Sequence, residues 1–437
     1  MSTRREMASA SAGAVPSAMT LTEKILARAS GRTAVQPGEI LTCKVDLALL
    51  LDSGGPRRIW PRLRELGAGV WDPERIVLCS DHFTPAVDAE SAAILQLTRD
   101  FAAQFGIRKF FDMRGIGHVL LAEQGLLQPG MFAVGGDSHS SMGGAFGCFM
   151  AGFGAIEMTG VVVTGEIWIP VPQTLRLNWY GRFAPGVVAK DIMLFLCREI
   201  GMENSGTVLE YGGDTVQEMS IWERMVLTNM SAELGADSGL VEADATTVEA
   251  LIAAGREPAA DCLAWRSDTG ARYVEVRQFS AEALAPQVAA PHSPANSAPV
   301  DAFGNVSVDQ ADIGACVGAT LSDLHMVAQV LKGRRVARNT RLLIAPASTR
   351  VTIDAAADGT LATLTAAGAY LLPTGCGACA ALGAGVLGEK EVCISSTNRN
   401  FRGRMGANSA EVYLASPYTV AASAVAGRIA DPREFLA

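Results

Sequence analysis

Five histidines occur in 437 residues, and three of them stand in polar, glycine-flanked loops within 58 residues. His82 follows Asp81 directly behind the apolar run RIVLC, His118 sits in RGIGHV, and His139 follows Asp137 and Ser138 in VGGDSHSSMGG. An Asp directly before a His at the C-terminal end of a strand is where α/β sheets place ligands and catalytic groups. A neighbouring carboxylate raises an imidazole's pKa and fixes its tautomer, as a proton-transfer site requires. Taken singly, each histidine is equally well a loop cap or a core filler. Three in the same kind of loop point to a shared site.

Cysteine spacing is the second chemical signal. Cys376 and Cys379 form Cys-x-x-Cys in PTGCGACAALGAG, and Cys316 lies 60 residues earlier in IGACVGATLSD. A dithiol redox pair would stand in a thioredoxin-like context, and structural zinc would need a fourth ligand, for which no histidine is close in sequence. Three thiolates in glycine-rich loops suit an iron–sulfur cluster better, leaving one iron with an open position that can act as a Lewis acid. The text after Cys316 reads as a helix start, with Thr320 and Asp323 at capping spacing, which favours a thiolate there. Cys43, Cys79, Cys148, Cys197, Cys262 and Cys393 read as small core residues.

Two further groupings carry charge. Arg399, Arg402 and Arg404 crowd one loop, STNRNFRGRMGANS, of a chain with formal net charge −9. Guanidinium forks bind carboxylates bidentately, so this loop suits a di- or tricarboxylate. Asn229 and Glu233 are four apart in TNMSAELGAD and share one face of a helix.

These residues need elements to position them. Hydrophobic residues make up 49% of the chain, charged residues 19%, and glycines number 45. That composition suits an α/β protein of several domains and argues against disorder. Strands are expected at 75–79, 109–111, 131–134 and 174–180, and helices at 90–105, 189–200 and 220–234. A further helix starts after Thr20, where Glu23 completes a capping box. Four prolines in 286–300 preclude a helix and read as a linker. The expected division is a disordered tail over 1–18, α/β units at 19–172 and 173–285, the linker at 286–300, and a third unit at 301–437. No apolar run approaches the roughly 18–20 residues that span a bilayer, and the tail has no apolar stretch of the secretory kind. The negative net charge argues against a nucleic-acid partner. An odd cysteine count without a disulfide framework suits the cytoplasm.

Taken together, GDSHSS, PTGCGAC, STNRNFRGRMG and ASPYTVAASAVAG resemble the aconitase superfamily, in its order and at compatible spacing. The likeness runs from about Met19 to the C-terminus and is greatest to the separate large subunits of 3-isopropylmalate dehydratase, homoaconitase and dimethylmalate dehydratase. It implies three α/β domains around a central 4Fe-4S iron–sulfur cluster, without the mobile fourth (swivel) domain. It assigns Cys316, Cys376 and Cys379 as cluster ligands. Asp81, His82, His118, Asp137 and His139 match positions that line the active site and assist proton transfer. Asn229 and Glu233 match a pair near the open iron, and Ser138, Asn398, Arg399 and Arg404 match contacts to cluster or substrate. The implied reaction is reversible dehydration of a hydroxy di- or tricarboxylic acid, with a separate small subunit carrying the swivel domain. The alternative is a cluster-free, zinc-binding, redox or RNA-binding relative without hydro-lyase activity.

Two departures stand out. Relatives usually have Cys-Thr-Asn where this chain has Cys316-Val317-Gly318, and a polar residue before Asp52 where this chain has Leu51. Both predict a less polar pocket, and so a substrate with a smaller or more apolar substituent.

Overall fold

The computed structural model describes residues 18–436, so the tail expected over 1–18 lies outside them but for its last residue. The strands Lys109–Asp112, Ile76–Ser80, Leu47–Leu51, Phe132–Gly135 and Phe149–Gly152 form one wholly parallel sheet in that order. Leu47–Leu51 and Ile76–Ser80 are buried along their full length. Such continuous apolar runs are what parallel strands require when helices cover both faces. The covering helices include Pro56–Leu66 and Ala89–Phe105. Ile40–Lys44 and Glu166–Pro170 add an antiparallel ribbon.

A second parallel sheet has the order Ser238–Val241, Thr207–Gly212, Gln173–Tyr180 and Glu275–Ser280. The third has seven strands: Ser297–Pro299, Gln287–Ala289, Glu411–Ala415, Val392–Ser395, Gln310–Ile313, Arg341–Ile344 and Tyr370–Leu371. Its last five are mutually parallel. The stretch 286–300, expected to link two units, is therefore paired backbone. Gln287–Ala289 pairs antiparallel with both Ser297–Pro299 and Glu411–Ala415. Proline excludes helix here as expected, but tolerates an edge strand, and Pro299 ends the outermost one.

Local rules account for the element ends. Thr20 and Glu23 form the expected capping box of Leu21–Ser30, which stops at Gly31 in the left-handed region (φ 71°). The helix expected over 220–234 starts as predicted, with Ser220 capping Ile221–Asn229, but tightens into a 3-10 turn at Met230–Ala232. A large apolar core joins the second and third sheets and takes in Ile116 and Val119 from the first unit. The loops at the carboxyl ends of the strands consequently meet along one seam. None of the helices formed by the described residues is long and apolar enough to cross a membrane.

Candidate active site

Most of the predicted residues project from the carboxyl ends of parallel strands into that seam, where open α/β sheets bind ligands. Asp81 and His82 follow Ile76–Ser80, and Asp137, Ser138 and His139 follow Phe132–Gly135. Cys316 follows Gln310–Ile313, Cys376 and Cys379 follow Tyr370–Leu371, and Asn398 and Arg399 follow Val392–Ser395. Asn229 and Glu233 arrive from the end of Ile221–Asn229, the contribution of the second unit.

Asp81 is buried and aimed two ways. Its Oδ1 lies 2.6 Å from His82 Nδ1, and its Oδ2 accepts from the Gly117 amide at 2.8 Å, fixing the start of the helix that carries His118. Asp52, at the end of the central strand, accepts from the amides of His82 (3.2 Å) and Phe83 (3.1 Å) and stands 3.5 Å from His82 Nδ1. Burial works against a charged imidazole, but Asp81 and Asp52 outweigh it and hold His82 well above the usual histidine range.

The second constellation centres on Glu233. Its Oε1 lies 2.9 Å from His139 Nε2 and accepts from Arg399 Nε at 2.7 Å. Arg399 also donates through an Nη to Ser138 Oγ at 2.9 Å. Burial would raise the Glu233 carboxyl, yet His139 and Arg399 keep it below the ordinary carboxylate range. His139 is raised by Glu233 and Asp137 in spite of its own burial. Asp137 Oδ1 accepts from the His139 amide at 2.8 Å and stands 3.6 Å from His118 Nε2. For His118 burial wins over Asp137, and its pKa falls to about 4. Two buried polar atoms here have no partner, His118 Nε2 and Glu233 Oε2. Unpartnered buried groups are rare and mark places where a ligand completes the bonding.

The three predicted cysteine ligands are free thiols. Cys316 Sγ accepts from Asn229 Nδ2 at 3.1 Å, and Asn398 Nδ2 donates to Asn229 Oδ1 at 2.6 Å. Burial raises the Cys376 thiol, and Asp81, Cys379 and Cys316 raise it further, so the three sulfurs share one electrostatic neighbourhood. The Cys376 amide donates to the Asp81 carbonyl at 3.1 Å, docking the cysteine loop of the third unit on the histidine loop of the first. Gly375 makes that approach possible: at φ 143° a Cβ there would lie 2.7 Å from Thr84 Oγ1 and 2.9 Å from the Asp81 carbonyl oxygen. Ala315, immediately before Cys316, holds φ 65°, and Ala381 beyond Cys379 holds φ 53°. Strained non-glycine residues of this kind cluster at functional loops. Reduced thiols on two loops of one electrostatic neighbourhood, with the unpartnered His118 Nε2 and Glu233 Oε2 in the same site, fit a cluster held by three cysteines.

Not every predicted residue joins this network. The guanidinium of Arg404 makes no bond to the other site residues, and its buried Nε is unpartnered. Leu51 and Val317 are fully buried in apolar cores, Leu51 beneath Gly117. Gly318 lies against Ser396, whose hydroxyl bonds the Gly314 amide at 3.1 Å and the Gly318 carbonyl at 3.3 Å. Sequence reading passed over two residues. Asp52 was visible as a third Asp at a strand end, and Lys190 as a cation inside the apolar text VVAKDIMLFLC. Burial pushes the Lys190 ammonium down to about 8 against the pull of Glu233 and Cys316. A separate cavity of about 580 Å³, bordered by Glu123, Trp222, Thr320 and Arg350, contains none of the candidate residues. Clustered chemistry, rather than volume, locates the site.

Known proteins resemble this chain over nearly its whole length. The chain is 40% identical over 424 residues to 3-isopropylmalate dehydratase large subunit 1 of Pyrococcus furiosus, covering 96% of this chain and 99% of that protein. It is 41% identical over 420 residues to 3-isopropylmalate dehydratase large subunit 1 of Methanopyrus kandleri (95% and 99% covered). It is 40% identical over 424 residues to a probable methanogen homoaconitase large subunit of Methanothermobacter thermautotrophicus (95% and 98%). The fold is similar to the crystal structure of holo-form aconitase X from Thermococcus kodakaraensis, with a TM-score of 0.50 at 13% identity over 82% of this chain and 84% of that one. Residues 23–427 match the aconitase family (aconitate hydratase). With a family match over nearly all of its length, the chain belongs to the aconitase family.

Proposed function

We propose that this chain is the large subunit of a 4Fe-4S hydro-lyase acting on a hydroxy di- or tricarboxylic acid of the alkylmalate kind, as 3-isopropylmalate, dimethylmalate or homocitrate-like acids are. The observation that carries the reading is the meeting of three reduced thiols with a His139–Glu233–Arg399 network at one seam. Cys316, Cys376 and Cys379 would hold the cluster, and Asn229 and Asn398 would hold Cys316 in place. When bound, such a cluster supplies an open iron that polarises a substrate hydroxyl and carboxylate.

The chain's own residues do the rest. Arg399 uses Nε and one Nη on Glu233 and Ser138, and its other Nη keeps donors for a substrate carboxylate. Glu233 and His139 form a charged pair that stores a proton between Oε1 and Nε2. His118 stays neutral near pH 7 with Nε2 unpartnered, so it can accept a proton from substrate at that atom. The protonated His82, its Nδ1 clamped by Asp81 and Asp52, keeps the N–H at Nε2 as a donor for an anionic substrate group.

The relatives' names carry the words "large subunit", which supports a separate small subunit as partner. Nine free thiols support a reducing cytoplasm. We read 19–172, 173–285 and 301–437 as three domains, with 286–300 tied to the third.

The test is anaerobic reconstitution of the chain, co-expressed with its small subunit, followed by a panel of malate and citrate analogues. About four irons per chain and turnover of an alkylmalate are expected. Cys316→Ser should lose both, and a variant that keeps both overturns the ligand assignment. A mononuclear metal reading draws on Asp81, His82 and Cys376, whose ligand atoms lie within 4.8 Å of one another. That reading leaves Cys316 and Cys379 unused, and one zinc per chain with no iron would favour it.

A further inference from the structure

Lys190 is 1% exposed, one of the largest fully buried side chains among the described residues, and nothing in the catalytic argument above uses it. It sits in the first turn of the helix Ala189–Glu199, the end at which the backbone dipole disfavours a cation. Its Nζ donates to two consecutive carbonyls, Ser396 at 3.1 Å and Thr397 at 2.6 Å. Among the described residues, no carboxylate oxygen comes within the 4.0 Å of an ion pair with it. Asp191 beside it is occupied by the amides of Val188 (2.9 Å) and Gln287 (2.7 Å), and Asp323 by Thr320.

A buried ammonium without a paired anion is costly, so something must compensate it. What lies around Lys190 is the candidate site itself. The two carbonyls it holds immediately precede Asn398 and Arg399, one bonded to Asn229 and the other to Glu233. Cys316, Cys379 and Glu233 are near enough for their charges to act on it. Two of its three N–H donors are used on the loop.

We infer that Lys190 is a positioning residue of the hydro-lyase site. Its ammonium fixes the turn that presents Asn398 and Arg399, and it sets a positive charge beside the cysteine ligands. The inference rests on the hydro-lyase reading above. Replacing the ammonium releases the 396–397 carbonyls, lets Asn398 and Arg399 drift from Cys316 and Glu233, and removes a charge that favours electron addition to a neighbouring cluster.

The experiment compares wild type, Lys190→Met and Lys190→Arg in the full chain reconstituted with iron and sulfide. It reads three things: the fold of the apo chain by circular dichroism, the cluster's midpoint potential by EPR-monitored titration, and kcat and KM with the small subunit on 3-isopropylmalate or the best panel substrate. Lys190→Met should lower the midpoint potential and reduce kcat about 100-fold, the scale of an ångström's misplacement, with a smaller effect on KM. Lys190→Arg should keep the potential and lose part of kcat. A folded Lys190→Met with wild-type potential and kcat overturns the inference. If only Lys190→Arg folds, a lowered potential or an unchanged kcat overturns it. If neither folds, the lysine is a folding residue and the inference fails. A wild-type chain that takes up no iron fails the hydro-lyase reading instead, so the two failures are distinct.

Discussion

His118 shows how one residue's surroundings set its chemistry. An unfolded imidazole titrates near 6.5, whereas burial takes the folded one to about 4 against the opposing pull of Asp137. Between those values the unfolded chain binds a proton that the folded chain refuses, so stability falls as pH drops from 6.5 towards 4. The loss at full extent is about 3 kcal/mol. Urea midpoints of the apo chain at pH 7 and pH 4.5 should show it, and a His118→Gln chain should show a smaller drop. Glu233 makes a second prediction. Glu233→Gln leaves His139 and Arg399 without their shared anion and should lower kcat by about 10²–10⁴-fold. An unchanged kcat would remove Glu233 from the chemistry. The histidines, Asp81, Asp137 and the cysteines were legible because their types are rare and their loops are rich in glycine. Lys190 and Asp52 carry a weaker signal, a lone cation in apolar text and an Asp at a strand end, since their role lies in contacts made 206 and 30 residues away.

At the scale of elements, strands behave more predictably than the segments joining them. The runs expected at 75–79, 109–111 and 131–134 appear as Ile76–Ser80, Lys109–Asp112 and Phe132–Gly135, within a residue of their bounds. In Ile76–Ser80 and Phe132–Gly135, burial along the full length leaves little choice of position, and Lys109–Asp112 is the partly buried edge strand beside them. Loop chemistry is harder to read, as Gly318 illustrates. A Cβ at Gly318 would lie 2.2 Å from Ser396 Oγ and 2.8 Å from the Ser396 carbonyl oxygen. The Ser396 hydroxyl thus occupies the space into which a side chain at 318 would project. Gly318→Ala should destabilise the apo chain by about 1–3 kcal/mol, read as a lower urea midpoint at constant slope. Pairing it with Ser396→Gly should recover part of that loss, a coupling that fails to appear if the two loops do not meet.

The whole molecule assembles its site from all three sheets, so no unit alone carries a complete constellation. Sequence order hides this, since Glu233 and Arg399 are 166 residues apart yet bonded. The stretch 286–300 has a related consequence. A hinge needs backbone free to change its dihedrals, as an unpaired linker would have. Instead the stretch is laced into the third sheet, Arg198 bonds the Ser297 carbonyl, and Asn400, next to Arg399, bonds the Ala290 carbonyl. Its amides should therefore exchange with deuterium as slowly as those of Glu411–Ala415, and rapid exchange would show the lacing to be loose. With that joint immobilised, the second and third sheets, which already share one apolar core, should move as one body. Opening of the seam should then involve no bending within 286–300 and should leave the bond from Asn400 to the Ala290 carbonyl intact.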